Sequence, residues 1–227
     1  MTERNKKQLN VCFVSPHPDD IELYCGGVLL DHAKRNHRLS VIMMTYGGKG
    51  TINPFLRGEP LEKIREQEAR ARYNLLNNLE FIFAGFKDTE VLCDKSSIAK
   101  LTTILKAINP DIIYLPEFNS QLSERQHNDH IHSGKIVLAA SKELTKPVTM
   151  RCYHSTSINK LINIDEYYEQ NNEAIKFYKS QKGFPIWPFL SSLTRFNYHY
   201  NKKRRRWGKD IGAAHAEGFR ELELELE

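Results

Sequence analysis

Two short clusters hold side chains that can bind a metal ion and move protons. One is Ser15-Pro16-His17-Pro18-Asp19-Asp20, which runs on through Ile21-Glu22-Leu23-Tyr24-Cys25-Gly26-Gly27; the other is His127-Asn128-Asp129-His130. Zinc takes imidazole nitrogen and carboxylate oxygen, and a catalytic zinc keeps one position open for water. His17, His130 and one carboxylate of the Asp19-Asp20 pair would form such a set. Asp20 lies three residues after His17, so a helical turn brings the two to one side. Water on such a metal becomes a hydroxide-like nucleophile near neutral pH. The carboxylate left over is the natural general base. His127, one helical turn before His130, is the group to polarise a carbonyl or stabilise an oxyanion. Residue types alone do not choose between Asp19 and Asp20 as ligand. Both aspartates also suit a simpler duty, capping a helix whose dipole favours negative charge.

These residues need a scaffold that brings them together. Val11–Ser15 reads as a buried strand and Gly26–Arg35 as the helix after it. Leu39–Thr45 is a second strand, followed by a loop marked by Gly47, Gly48 and Gly50. Leu61–Leu76 is a charge-rich helix and Leu79–Phe83 a short strand. Ser96–Ile108 is a helix that Ser96 or Ser97 caps and Asn109-Pro110 stops. Asp111–Leu115 is a strand ended by Pro116, Ile131–Glu143 a helix, and Pro147–His154 a further strand. This alternation predicts an α/β fold: a mostly parallel sheet flanked by helices on both faces. Ligands of such sheets bind beyond the carboxyl ends of the strands. That rule selects 16–20, 45–50 and 116–130, and both chemical clusters fall within these segments.

HPDDIELYCGG and HNDH resemble the two signature motifs of the LmbE-like, or PIG-L-like, N-deacetylases. Arg65-x-x-Glu68, Asp88 in Gly85-Phe86-Lys87-Asp88, Ile162–Asp165 leading to Ser180-Gln181, and Ala216-Glu217-Gly218-Phe219 resemble further elements of that family. The resemblance covers most of the chain, loosely outside the motifs. It implies a Rossmann-like fold and one divalent metal, usually Zn2+, with another ion such as Fe2+ as the alternative. It implies His17, Asp20 and His130 as metal ligands, Asp19 as base and His127 as electrostatic or acid partner. The implied reaction removes acetyl from an N-acetylglucosamine-type conjugate, giving acetate and a free amine.

The remaining residues divide between binding and structure. Arg65 and Asp88 are the substrate-binding candidates. Arg65 has a competing reading as an exposed i,i+3 ion pair with Glu68, and Asp88 one as a turn former. Glu22 reads as structural and Cys25 as a small buried hydrophobe. His132 or His154 is the candidate for outer support of the metal site. Residues 1–227 read as a single domain, with 182–207, rich in aromatic and basic residues, as an irregular insertion or lid. The closing ELELELE alternates like a strand, yet suits a charged tail equally.

Composition narrows the class of protein. With 40% apolar residues the 227-residue chain can bury a full core. The formal charge of +5 owes much to the run Lys202–Arg206. That run reads either as a solvated loop or as contact with an anionic partner: a membrane surface or a lipid-linked sugar, with nucleic acid not expected. No stretch of about 18 apolar residues suggests a membrane span, and the polar start lacks a signal-peptide core. Cys12, Cys25, Cys93 and Cys152 form no CxxC pair, as suits a reducing cytoplasm. Two rivals stand beside the deacetylase: a metal hydrolase of a non-sugar amide or ester, and a non-catalytic binding protein on the same fold.

Overall fold

The computed structural model describes residues 7–51, 53–124, 128–181 and 192–225. The first half alternates strand and helix: β1 (Asn10–Ser15), α1 (Asp20–Tyr24), α2 (Gly26–Lys34), β2 (Arg38–Thr45), α3 (Glu59–Tyr73), β3 (Leu79–Phe86), α4 (Lys95–Ile108) and β4 (Ile112–Pro116). Then come α5 (Asn128–Ser141), β5 (Val148–Tyr153), β6 (Lys160–Asn163), α6 (Tyr168–Ile175), α7 (Ser192–Asp210) and β7 (Ala216–Leu224). The strands form one sheet in the order β3-β2-β1-β4-β5-β7-β6. The first five run parallel, while β7 lies antiparallel to β5 and β6 antiparallel to β7.

The period-2 alternation of β1 accounts for the two packed layers. Val11 and Phe13 point into one core with Ile21, Leu29, Tyr73 and Phe219. Cys12 and Val14 point into the other with Leu101, Leu105, Ile136 and Val137. Both faces of the sheet are thus covered by helices, as the uniform apolar character of the strands requires. Strand order reverses direction at β1, whose neighbours are β2 and β4. This is the switch point at which doubly wound sheets open a crevice for ligands.

One reading of the C-terminal third changes. The 182–207 stretch is not irregular throughout: a helix starts at Ser192 and runs to Asp210, carrying the basic run on regular structure rather than on a solvated loop. Residues 182–191 lie outside the described residues. Of the two readings of the closing alternation, strand holds as far as Leu224, where β7 pairs with both β5 and β6. Helix α5 also begins earlier than its apolar periodicity suggests, taking Asp129 and His130 into its first turn.

Candidate active site

The chain leaves β1 and turns sharply into α1. Asp19 sits at the N-cap position with φ 102°, a conformation L residues rarely adopt. Its side chain makes no capping hydrogen bond, so helix capping does not explain it. Such strain persists only where surroundings enforce it. Arg65 is that enforcement: its Nη2 lies 3.2 Å from Asp19 Oδ2 and also donates to the Pro18 carbonyl, while Nη1 donates to the Gly47 carbonyl at 3.0 Å. Arg65 is 3% exposed, which rules out the exposed pair with Glu68. Glu68 instead accepts from the Ser180 amide at 2.8 Å and the Ser180 hydroxyl at 2.6 Å. That clamp carries Gln181 into the lining of the site.

His17, Asp20 and His130 come together from the ends of β1 and β4. Asp20 Oδ2 accepts from the His17 amide at 3.0 Å, lies 3.3 Å from His17 Nδ1 and 3.6 Å from His130 Nε2. One ligating atom from each of the three lies within 4.8 Å of the others. His17, Asp88 and Asp129 meet the same distance test. The first set is the better metal cradle, because Asp129 is already engaged. Its carboxylate, fully buried, accepts from the Thr89 amide at 2.6 Å and the Val91 amide at 3.3 Å, and lies 3.2 Å from His17 Nε2. With Nε2 facing Asp129 and Asp88, His17 presents Nδ1 to Asp20. A carboxylate behind a histidine fixes tautomer and orientation in metal sites. Two imidazoles, a carboxylate and that outer carboxylate fit a divalent metal.

Electrostatics separate the two adjacent aspartates. Burial pushes Asp19 up to about 7, with Arg65 opposing and Asp20 adding to the rise. Burial acts on Asp20 in the same direction, but His130 and His17 outweigh it and hold its carboxyl below the usual range. Asp88 is likewise held low: burial is outweighed by His17 and by the Lys49 amide, which donates to it at 2.7 Å. His17 is raised, its burial outweighed by Asp129, Asp20 and Asp88. One carboxyl titrates near neutrality and its neighbour stays ionised, the division of labour found where acid–base chemistry is done.

A cavity of about 300 Å³ opens above these groups. Asp19, Asp88, Arg65 and His130 line it, with Gln181, His154, Leu193 and Phe196 on its walls. Arg65 and Asp88, expected at the substrate, both reach the cavity, and both also hold protein groups. His127 lies outside the described residues. Of the two outer-support histidines, His154 lines the cavity, its Nε2 3.4 Å from Glu124 and its ring stacked on Tyr24. His132 instead accepts from the Cys93 amide at 3.0 Å. Cys25 is fully buried, and among the described residues it joins neither group of side chains placed to hold a metal. Asp129 was the residue that sequence reasoning passed over, although it stands inside the His-x-Asp-His spacing.

Glu22 and the Gly-Gly pair support the site from behind. Glu22 is fully buried against Arg72 at 3.2 Å and accepts from Tyr178 at 2.9 Å and Tyr73 at 3.3 Å. Glu217 of β7 accepts from the Gly27 and Val28 amides at 3.0 Å each, closing the N-terminus of α2. Arg204 of α7 joins Glu217 at 2.9 Å and donates to the Glu22 and Leu23 carbonyls of α1.

Known proteins share this fold. A diacetylchitobiose deacetylase from Thermococcus kodakarensis is 22% identical over 92% of this chain and 82% of that protein. A probable N-acetyl-alpha-D-glucosaminyl L-malate deacetylase 2 from Bacillus anthracis is 27% identical over 86% of this chain and 88% of its own. Among solved structures, the N,N'-diacetylchitobiose deacetylase from Pyrococcus horikoshii superposes with a TM-score of 0.83 at 23% identity, covering 93% of this chain and 83% of that one. The 4-carboxy-2-hydroxymuconate hydratase from Pseudomonas putida shares the fold at 0.74 and 16% identity, covering 93% of this chain and 95% of that one. Residues 12–141 match the family described as PIG-L, GlcNAc-PI de-N-acetylase, a span that holds His17, Asp19, Asp20, Arg65, Asp88 and His130, and the chain belongs to that family.

Proposed function

We propose that this protein is a zinc-dependent N-deacetylase that hydrolyses the acetamide of an N-acetylglucosamine-type conjugate to acetate and a free amine. The observation that carries the reading is Asp19, a buried carboxyl with a proton affinity near neutrality, held in a strained backbone beside the His17–Asp20–His130 cluster.

His17, Asp20 and His130 would hold the metal, zinc or another divalent ion such as Fe2+. When bound, the metal supplies Lewis acidity at the acetamide carbonyl and lowers the pKa of water. Asp19 takes a proton from the attacking water and is well matched to do so, because its own affinity lies near the working pH. Arg65 keeps that carboxylate aimed into the cavity. Asp129 and Asp88 orient His17. His127 is proposed as the partner that stabilises the oxyanion or protonates the departing amine. Asp88 and Gln181 supply polar atoms suited to sugar hydroxyls. The whole chain is read as one domain acting in the cytoplasm; its four cysteines are free. Among the described residues no helix is long and apolar enough to cross a membrane.

The test is metal content together with acetate release from a panel of N-acetylglucosamine conjugates, for wild type and Asp19→Ala. About one zinc per chain in both, with acetate from wild type only, is the expected result. Metal without acetate from any conjugate would favour a different acyl substrate. A protein that takes up no metal after zinc is added would overturn the proposal.

A further inference from the structure

The sequence of α7, SLTRFNYHYNKKRRRWGKD, carries seven cations and one acid. Its buried face is defined by Leu193, Tyr200, Arg204 and Gly208. Two of the cations are consumed there or at its edge: Arg204 joins Glu217, and Lys203 joins Glu124, the partner of His154 in the cavity wall. The other five, Arg195, Lys202, Arg205, Arg206 and Lys209, are exposed and form no ion pair with any described residue.

Their spacing is not random. Arg195, Tyr198, Lys202, Arg205 or Arg206, and Lys209 follow one another at three or four residues, the period of one helix face. At 1.5 Å per residue the stripe is about 21 Å long. Tyr198, 59% exposed, stands within it with Lys202 Nζ 4.7 Å from its ring centre, and Phe196, 51% exposed, flanks its first residue. Phe196 also lines the cavity, so the stripe begins at the mouth of the active site.

We propose that this face of α7 docks on an anionic lipid surface. The chemistry argues for lipid over nucleic acid. Exposed aromatic side chains beside cations match a headgroup region, where amphipathic rings sit and basic residues meet anionic lipid.

The experiment is co-sedimentation of the full chain with phosphatidylcholine vesicles, with or without about one quarter phosphatidylglycerol. Three proteins are compared: wild type, a variant with Arg195, Lys202, Arg205, Arg206 and Lys209 all changed to Gln, and a charge-matched control with Lys34, Arg57, Lys95, Lys106 and Lys142 changed to Gln. Wild type should bind only the anionic vesicles, with loss at high salt. Each cation adds about fivefold to partitioning, so the α7 variant should bind at least about 100-fold more weakly while the control keeps most of its binding. Acetate release from a soluble conjugate should stay unchanged in the α7 variant, which separates failure of docking from failure of the deacetylase reading. If that variant unfolds, Lys202→Gln with Arg206→Gln should lose about 20-fold. Equal loss in the α7 and control variants, equal binding to neutral vesicles, or no binding at low salt would overturn the proposal. Tighter binding to a duplex oligonucleotide than to the vesicles would overturn it in favour of nucleic acid.

Discussion

Arg65 Nη2 stands 3.2 Å from Asp19 Oδ2 while its two terminal nitrogens also donate to the Pro18 and Gly47 carbonyls, so one guanidinium ties the loop after β1 to the loop after β2. A lysine has a single ammonium and cannot reproduce that fork. Arg65→Lys should therefore lower kcat about 100-fold with little change in KM, because a base displaced by a fraction of an ångström loses its alignment. Steady-state kinetics on a soluble conjugate read this directly. A raised KM with kcat intact would move Arg65 from positioning the base to binding substrate.

Asp19 gives a stability prediction with a definite sign. Its folded value, about 7, lies above its ordinary value of 3.8, with burial as the main cause. The folded state therefore holds a proton that the unfolded chain releases, and the stability this confers is lost as pH rises from about 4 to about 7. Asn cannot ionise and escapes that loss. In metal-free protein at about pH 8, Asp19→Asn should be more stable than wild type by about 2 kcal/mol, discounted from the full shift because Arg65 loses a charged partner. Thermal melts at two pH values check it. A variant less stable than wild type at both would mean that Asp19 serves the fold rather than the chemistry.

Asp129 joins three elements by accepting from Thr89 and Val91 and facing His17 Nε2. Asp129→Asn should weaken zinc binding about 10- to 100-fold, the usual effect of removing a carboxylate behind a ligating histidine. Competition against a chromogenic chelator measures this. Unchanged affinity would rule out the supporting role.

The parallel core and the clustering of the two motifs were readable for the same physical reason, while the choice of Asp20 over Asp19 came from the family resemblance. Buried strands leave continuous apolar runs, and strand-end loops carry the chemistry, so His17, Asp20 and His130 fell where the fold brings them together. What periodicity missed depends on long-range partners. Nothing local in Glu217 says that it will cap α2, 189 residues away in sequence. Nothing local in Lys202–Arg206 says that Arg204 turns inward while its neighbours face solvent. Polar β7 pairs because β5 offers it an edge, not because its alternation is strongly apolar. Asp129 was hidden differently, standing between two residues whose types drew the attention.

Gly26 shows why small residues follow the first motif. A Cβ there would lie 1.8 Å from Asn171 Oδ1. Asn171 cannot swing away freely, since it is fully buried and its Nδ2 donates to the Glu22 carbonyl at 2.9 Å. Gly26→Ala should destabilise by about 2 kcal/mol or more through overpacking. Adding Asn171→Ala should recover part of that loss, giving a positive coupling in a double-mutant cycle read by denaturant melts. Strict additivity would mean that the two sites do not clash.

Arg204 and Glu217 are both fully buried, and their 2.9 Å pair sits where α1 ends and α2 begins. Removing Arg204 leaves a buried carboxylate with only the Gly27 and Val28 amides, and Arg204→Met should destabilise by about 3–5 kcal/mol. The loss should grow with pH. Glu217 is already raised by burial, with Arg204 as the main opposing charge. Without that charge its folded value rises further, so more stability disappears as pH climbs through it. Glu217→Gln in the Arg204→Met background removes the orphaned charge and should restore a large part of the stability and flatten its pH dependence. Melts of both variants between about pH 5 and 8 decide the matter, and a pH-independent loss that Gln fails to relieve would sink the explanation. Vesicle binding should be indifferent to Arg204→Met in any folded sample, because this one cation of the run points into the protein and the five on the outer face remain.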